Sequence, residues 1–130
     1  MANGSIGAGP VAVQSGPQSK GQAMATGVQA TLTFVGRSGA KYQFHLYSWG
    51  TEFKATGGVY AVLRQDPDGY AVIYVGQTGD LSERFDDHHK AGCFTRHRKT
   101  HIAAMAEESE QQRLVIEQDL IASYNPPCNG

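Results

Sequence analysis

The chain contains little cysteine and has no apolar run long enough to cross a bilayer. Its two cysteines, Cys93 and Cys128, are too few for a secreted scaffold stapled by disulfides, which favours a reducing compartment. A membrane-spanning helix needs roughly 18 consecutive apolar residues, and no such run occurs. The N-terminus also lacks the basic and apolar regions that direct secretion. We therefore expect a soluble protein of the cytoplasm.

Charge of one sign is not in excess either. The formal net charge is -1, so the overall balance points neither to a nucleic acid nor to a membrane surface. Residues 1–29 carry one charged side chain, Lys20, and their scattered aliphatic residues have no period. Such a segment buries too little apolar area to offset the entropy lost on ordering. We predict a flexible tail over residues 1–29 and a single domain over residues 30–130.

Two β-hairpins are predicted after the tail. The runs ATLTFV and KYQFHLY are rich in β-branched and aromatic residues and are separated by GRSGA, which predicts an N-terminal hairpin. The runs GVYAVLR and YAVIYVG flank QDPDG, a turn sequence that predicts a second hairpin. If this loop places Arg64 opposite Tyr70, then Tyr60 falls opposite Tyr74. Both tyrosines then lie on one face of the sheet.

Two helices and one more strand complete the predicted fold. Asp80-Leu81-Ser82-Glu83 has the spacing of a capping box, which predicts a helix from Asp80 to about Lys90. Arg84 and His88 lie beside the apolar stripe of that helix. HIAAM predicts a short strand, and residues 107–125 predict a helix of about four turns. The fold class is therefore α+β, with an antiparallel sheet covered by helices.

The last predicted helix aims a carboxylate at the core. Its apolar stripe comprises Leu114, Leu120, Ile121 and Tyr124, and Glu117 falls in the middle of that stripe. A charged group in such a place is costly unless it is paired or serves a site. It either forms a structural ion pair with Arg84 or Arg113, or it belongs to a functional site.

Taken in order, these residues resemble the GIY-YIG nuclease family. The matching residues are Gly58-Val59-Tyr60, Tyr74-Val75-Gly76, Arg84, His88, Glu117 and Asn129. Val stands in place of the central Ile of both triplets, and 13 residues separate the two tyrosines, slightly more than is usual in the family. The N-terminal hairpin and the cysteine-containing connection look like those of small stand-alone bacterial members. The resemblance implies a GIY-YIG-like sheet with an extra N-terminal hairpin.

The resemblance also implies a divalent-metal-dependent endonuclease that hydrolyses phosphodiester bonds in DNA. Glu117 would hold Mg²⁺ or Mn²⁺, an ion that keeps most of its waters and binds the scissile phosphate. Tyr60 would act as general base or orient the attacking water, and Tyr74 would hydrogen-bond the phosphate or that water. Arg84 would neutralise the charge that grows on the phosphate. His88 would either accept the proton of the nucleophile or position Tyr60.

Three further matched residues are expected to hold the site or its substrate. Asn129 would hold the wall of the active site or bind a DNA phosphate. Gly58 and Gly76 would allow a close approach of the backbone to its neighbours. These roles come from the resemblance alone.

A local basic patch follows the first predicted helix. Its members, in a stretch without any acid, are Lys90, Arg96, Arg98 and Lys99. Such a patch is expected to follow a phosphate backbone, although a solvated loop would have the same composition. So few phosphate contacts favour single-stranded or structured DNA over long duplex. A catalytically silent nucleic-acid-binding module on the same fold is the alternative function.

Cysteine and histidine residues also permit a different site. They are His88, His89, Cys93, His97, His101 and Cys128. Some of them together would suit zinc, although their spacing matches no strong zinc pattern. The alternatives are that Cys93 and Cys128 are free core thiols or that they form a redox-sensitive pair.

Overall fold

A six-stranded antiparallel sheet and two α-helices make up the protein, as seen in a computed structural model that describes residues 12–14, 24–85 and 88–130. In chain order the elements are β1 (Ala12–Gln14), β2 (Ala30–Val35), β3 (Lys41–Ser48), β4 (Gly58–Asp66), β5 (Gly69–Thr78), a 3-10 turn (Leu81–Glu83), α1 (Ala91–Arg96), β6 (His101–Ala106) and α2 (Glu110–Tyr124). The predicted α+β class is confirmed. None of the helices in these ranges combines the length and apolarity needed to span a membrane.

The sheet is assembled from two hairpins and a strand that comes late in the chain. Its spatial order is β1-β2-β3-β6-β4-β5. The two predicted hairpins, β2-β3 and β4-β5, are both present, and the predicted strand at HIAAM is β6. This strand lies between the hairpins, where Ala103 pairs with Leu46 on one side and with Ala61 on the other. One continuous sheet results, with a separate core on each face.

The β4-β5 hairpin differs from its predicted register. Asp66 pairs with Gly69, so the loop is shorter than the predicted one, and Tyr60 pairs with Gly76 rather than with Tyr74. Without an irregularity, this loop would place the two tyrosines on opposite faces. A bulge at Ile73, where the register shifts between Val62 and Leu63, restores the alternation. Both tyrosines therefore lie on one face as predicted, but the bulge, and not the length of the loop, places them there.

Each face of the sheet packs against different helices. On the first face, the side chains of Leu32, Phe34, Phe44 and Leu46 form a core with α2. On the second face lie the side chains of the candidate site and of the segments around α1. They include Tyr60, Tyr74, Leu81, Phe94, Ile102 and Cys128. The apolar residues that the sequence assigned to β2 and β3 are thus buried as expected.

The helix predicted from Asp80 to Lys90 is wrong. Within the described residues, a 3-10 turn at Leu81–Glu83 is followed by α1 at Ala91–Arg96, which begins just beyond the predicted end of the helix. The Asp80 side chain caps the turn by accepting hydrogen bonds from the backbone N and the Oγ of Ser82, rather than bonding the residue expected for a capping box. Tertiary packing overrides the local signal, because Leu81 and Phe94 are each buried against the sheet.

The predicted tail also differs in two places. Ala12–Gln14 pairs with β2 as a short edge strand, and Met24 and Ala25 are buried in the second core. The Lys54 amide donates a hydrogen bond to the Met24 carbonyl, which fixes the segment just before β2. The ordered domain therefore begins before Ala30, and the rest of residues 1–23 lies outside the described residues.

Helix α2 is confirmed but its buried side is rotated from the predicted one. The buried side chains are Arg113, Ile116, Leu120, Ser123 and Tyr124. Leu114, which was expected in the apolar stripe, is 42% exposed, while Leu120 is 1% exposed. Ser109 caps the helix by accepting from the Gln112 amide.

Truncation of two leucines on α2 should report which side of the helix faces the core. We expect Leu120→Ala to lower the free energy of unfolding by about 2–5 kcal/mol, because it opens a cavity. The matched Leu114→Ala should change it by less than about 0.5 kcal/mol. Urea unfolding of the two variants measures both values, and equal losses would contradict this placement of α2.

Candidate active site

The hydroxyl of Tyr60 is the centre of a buried polar cluster. Tyr60 projects from β4 and is fully buried. The Arg84 Nε donates to its oxygen at 3.0 Å, and the Nε2 of His88 lies 2.8 Å from the same oxygen. The 3-10 turn and the segment before α1 bring these two side chains to the strand. Two residues distant in sequence therefore meet on one phenol.

The tautomer of His88 follows from its second contact. The backbone N–H of Lys90 donates to the His88 Nδ1 at 3.0 Å, so Nδ1 carries no proton. A neutral imidazole must then carry its proton on Nε2. His88 consequently donates to the Tyr60 oxygen, as Arg84 does. The sequence offered no signal for the Lys90 contact, because it is made by a backbone amide.

The neutral state of His88 is strongly favoured. Burial, together with the positive charges of Arg84, His89 and Lys90, lowers its pKa to about 4. His88 stacks on His89, with ring centroids 4.6 Å apart, and its edge packs on the ring of Tyr74. At neutral pH this side chain is an uncharged hydrogen-bond donor.

Burial and charge act in opposite directions on the two tyrosines. Burial raises the pKa of Tyr60, while the hydrogen bond and the charge of Arg84 lower it. Burial likewise raises the pKa of Tyr74, and Arg84 again lowers it. The rings of Tyr60 and Tyr74 lie 6.1 Å apart. The two phenols thus share one guanidinium, but burial outweighs its effect, so the pKa of each phenol stays above the ordinary value.

Gly76 makes room for the Tyr60 hydroxyl. A Cβ at this position would lie 2.6 Å from the Tyr60 oxygen and 2.9 Å from the ring of Tyr74. At Gly58, a Cβ would lie 2.5 Å from the carbonyl oxygen of Met105 on β6. The missing side chain therefore leaves room for neighbouring protein atoms at both positions: the Met105 carbonyl oxygen at Gly58 and the Tyr60 hydroxyl at Gly76.

Asn129 holds the edge of the sheet beside the site. Its Oδ1 accepts from the Val75 amide and its Nδ2 donates to the Val75 carbonyl, each at 2.9 Å. The side chain thereby replaces a neighbouring strand along β5, which is an edge strand. Of the two roles expected for Asn129, support of the wall next to Tyr74 matches this geometry.

Glu117 reaches the same cluster from α2, which packs chiefly along the edge strand β5. Its negative charge raises the pKa values of Tyr60 and Tyr74. Burial raises the pKa of Glu117 itself, and a hydrogen bond with Gln118 and the charge of Arg84 lower it. Glu117 is therefore close enough to Tyr60, Tyr74 and Arg84 for electrostatic interaction.

Neither structural ion pair considered for Glu117 forms. Arg113 instead donates to Gln77 and to the carbonyls of Glu107 and Glu108, and Arg84 donates to Tyr60. The one salt bridge within the described ranges joins Arg64 to Asp66. A half-buried carboxylate without an ion-pair partner suits a hydrated Mg²⁺ or Mn²⁺, which takes one or two carboxylates from a protein and keeps several waters.

Lys90 precedes α1, Arg96 is its last residue, and Arg98 and Lys99 follow it. Helix α1 packs on the face of the sheet that holds the tyrosines. Phe94 anchors α1 there, with its ring centroid 5.4 Å from that of Tyr74. Arg96 and Arg98 are exposed, whereas the Nζ of Lys99 lies over the ring of Trp49 at 4.9 Å. The patch is therefore split: two of its members are free in solvent and one covers an aromatic ring.

The interpretation of Cys93 and Cys128 as free thiols is wrong, because the two residues form a disulfide. His88 is bonded to Tyr60, and His101 is bonded to Thr100 and Gln29. These bonds remove both histidines from the zinc set considered above.

No known protein family, curated protein or solved structure matches the chain. The likeness to GIY-YIG nucleases therefore depends on the residues themselves.

Alanine at Gly76 should disturb the site more than alanine at another glycine. Gly76→Ala pushes the Tyr60 hydroxyl away and should cost about 1–3 kcal/mol of stability through overpacking. At Gly92 in α1, a Cβ would have nothing within 4 Å, so Gly92→Ala should be neutral or stabilising by up to about 1 kcal/mol. Thermal unfolding of both variants measures the difference. The same loss in both would contradict the packing around Gly76.

The free energy of unfolding should decrease as the pH falls, because His88 is held neutral in the folded protein. Its folded-state pKa of about 4 lies below the usual 6.5, so the unfolded chain binds more protons between these values. The contribution is fully present above pH 6.5 and is lost as the pH falls toward 4. We expect a loss on the order of 2–3 kcal/mol. Urea unfolding from pH 7 to pH 4 should show a shallower slope for His88→Gln than for the parent. Parallel slopes would contradict the prediction.

Proposed function

We propose that the protein is a divalent-metal-dependent endonuclease with a GIY-YIG-like site that hydrolyses phosphodiester bonds in DNA. One observation carries the proposal: the Tyr60 oxygen receives hydrogen bonds from both Arg84 and His88, beside Tyr74 and the half-buried carboxylate of Glu117. A purely structural tyrosine does not need two such donors.

The two donors define which form of Tyr60 can act as a base. A neutral phenol oxygen has two lone pairs, and both already accept hydrogen bonds. In this form Tyr60 can only donate its own proton. Once deprotonated, the oxygen keeps both donors and has a lone pair free to take a proton from water. We therefore assign the general-base role to the Tyr60 phenolate, and activity should rise with pH on the alkaline side.

His88 is then a positioning residue. Its Nε2 proton points at Tyr60, and its Nδ1 is held by the Lys90 amide. Neither nitrogen is free to accept a proton from the nucleophile. Of the two roles open for His88 from the sequence, positioning Tyr60 is the one that this geometry supports.

The remaining residues supply charge, a hydrogen bond to the phosphate and support for the β5 edge. Arg84 has a guanidinium that stays protonated, so it can bind a phosphate oxygen while it holds Tyr60. Glu117 would hold Mg²⁺ or Mn²⁺, which supplies Lewis-acid stabilisation of the phosphate when bound. Tyr74 lies next to Tyr60 and can donate a hydrogen bond to the phosphate. Asn129 keeps the β5 edge, and with it Tyr74, in place.

We propose single-stranded or structured DNA as the substrate and the cytoplasm as the compartment. Arg96 and Arg98 are exposed close to α1, and Lys90 adjoins His88 in the site. Three cations can follow a few phosphates of one strand, whereas a long duplex normally engages more. Substrates should therefore be open or branched near the cut.

One observation favours a second candidate. Tyr60 is fully buried, so a water molecule has to enter the cluster before it can give a proton to the Tyr60 oxygen. A catalytically silent nucleic-acid-binding module would keep Tyr60 as a packed core residue and use the exposed Arg96 and Arg98 alone. Under this alternative the protein binds DNA and does not cut it.

Replacement of Glu117 separates the two candidates. With Mg²⁺ or Mn²⁺ and a set of single-stranded, duplex and branched oligonucleotides, we expect the parent to produce metal-dependent cuts. Glu117→Gln should slow cleavage roughly 100-fold or more while DNA binding persists. Glu110→Gln, an exposed position on the same helix, is the matched control and should cut like the parent.

The results of this experiment distinguish the nuclease from the silent binding module and also test the proposed substrate class. Binding without any cleavage by the parent would support the silent module. Cleavage that Glu117→Gln leaves unchanged would refute the metal role of this residue. A preference for duplex over open DNA would overturn the proposed substrate class.

A further inference from the structure

Cys93, His97 and Cys128 form a cluster next to β5, with both cysteines packed in the core that contains Tyr74. Cys93 and His97 are one helical turn apart at the end of α1, so their side chains share a face. Cys128 comes from the turn after α2, where its amide donates to the Ile73 carbonyl. The two cysteines are 35 residues apart in sequence. Tertiary structure alone brings the three together.

The three donor atoms are close enough together to reach one soft metal ion once the disulfide is opened. The two sulfurs and a ring nitrogen of His97 all lie within 4.8 Å of one another. Tetrahedral zinc with Zn–S bonds of about 2.3 Å separates two thiolate sulfurs by about 3.8 Å. A short rotation of the two cysteine side chains would therefore reach this geometry from the disulfide, because the Cα atoms are already 6.0 Å apart.

His97 is free to act as a ligand. Arg64 contacts only its backbone carbonyl, and the described part of the chain gives its ring no hydrogen-bond partner. The ring is half-buried beside Cys93, and Cys128 is buried. A half-enclosed site with two sulfurs and one imidazole is the donor set that zinc prefers, and it leaves one position for water.

We propose that the protein, once its disulfide is reduced, binds one zinc ion through Cys93, His97 and Cys128, with water as the fourth ligand. A dithiol reductant supplies two electrons and two protons, the S–S bond breaks, and two thiols form. Zinc then displaces the proton of each thiol, and the lone pair of neutral His97 completes the protein ligands. The two thiolates balance the charge of the ion.

In the reduced protein, bound zinc would take the place of the disulfide as the cross-link between α1 and the C-terminal turn. The disulfide joins α1 to the turn that carries Asn129, and Asn129 holds the Val75 backbone beside Tyr74. In a reducing compartment the disulfide opens, and zinc would keep the same two segments together. The metal site is separate from Glu117 and does not depend on nuclease activity.

Cobalt is the probe, because it replaces zinc and its thiolate complexes absorb in the near ultraviolet. The full chain, reduced with a phosphine and freed of metal, is titrated with Co²⁺. We expect one equivalent to bind with a thiolate-to-cobalt band, and added Zn²⁺ to displace it. The oxidised protein and Cys128→Ser should lack the band.

Two histidine variants test the third ligand. His97→Ala should weaken Co²⁺ binding about tenfold or more, while His101→Ala, a matched histidine bonded elsewhere, should bind like the parent. Circular dichroism confirms that each variant is folded. Absence of a stoichiometric thiolate band in the reduced parent would overturn the proposal. Equal binding by His97→Ala and the parent would overturn the assignment of His97.

Discussion

The insertion of β6 between β3 and β4 is the contact on which the rest of the structure depends. A hairpin alone is marginally stable in water, and the two hairpins do not pair with each other directly. β6 hydrogen-bonds to both and places Ala103 and Ala104 on opposite faces of the centre of the sheet. Their small side chains leave space for α2 on one face and for the large rings around Tyr60 on the other.

The second face combines burial with polarity. Taking Tyr60 and His88 out of water disfavours their charged forms, which explains the direction of both pKa changes. The cost is offset by hydrogen bonds, since the Tyr60 oxygen has Arg84 and His88 as partners and the His88 Nδ1 accepts from the Lys90 amide. The result is a buried cluster in which His88 and Arg84 both donate to the phenol oxygen, while burial keeps the pKa of Tyr60 above its ordinary value. That preorganisation is what the proposed chemistry requires.

The C-terminal segment stabilises this arrangement from outside the sheet. Edge strands expose unpaired backbone groups, and Asn129 bonds both groups of Val75 at the β5 edge. The disulfide between Cys93 and Cys128 fixes the same segment to α1. The wall of the candidate site is therefore held by side chains from the end of the chain, next to a cluster whose donor atoms also suit a metal.

The residues themselves predicted much of this protein. The β-branched and aromatic runs predicted both hairpins and β6, and the resemblance to GIY-YIG nucleases named Tyr60, Tyr74, Arg84, His88 and Glu117 as candidate site residues. Local rules failed where distant contacts decide the outcome. The capping signal at Asp80 predicted a helix to about Lys90, but the structure has a 3-10 turn at Leu81–Glu83 and α1 at Ala91–Arg96, with Leu81 and Phe94 buried. Registers and pairings also came from the tertiary structure. The bulge at Ile73 decides which face Tyr74 occupies, and a bulge has no reliable sequence pattern. The buried side of α2 turns Leu114 outward, because the strands beneath the helix select the face. Sequence by itself determined the strands from β2 to β6, helix α2 and the chemistry available, since these follow from local propensity and residue type. Only the tertiary structure decided the tautomer of His88, the cysteine pairing and the partners of Tyr60, since each depends on atoms far apart in the chain.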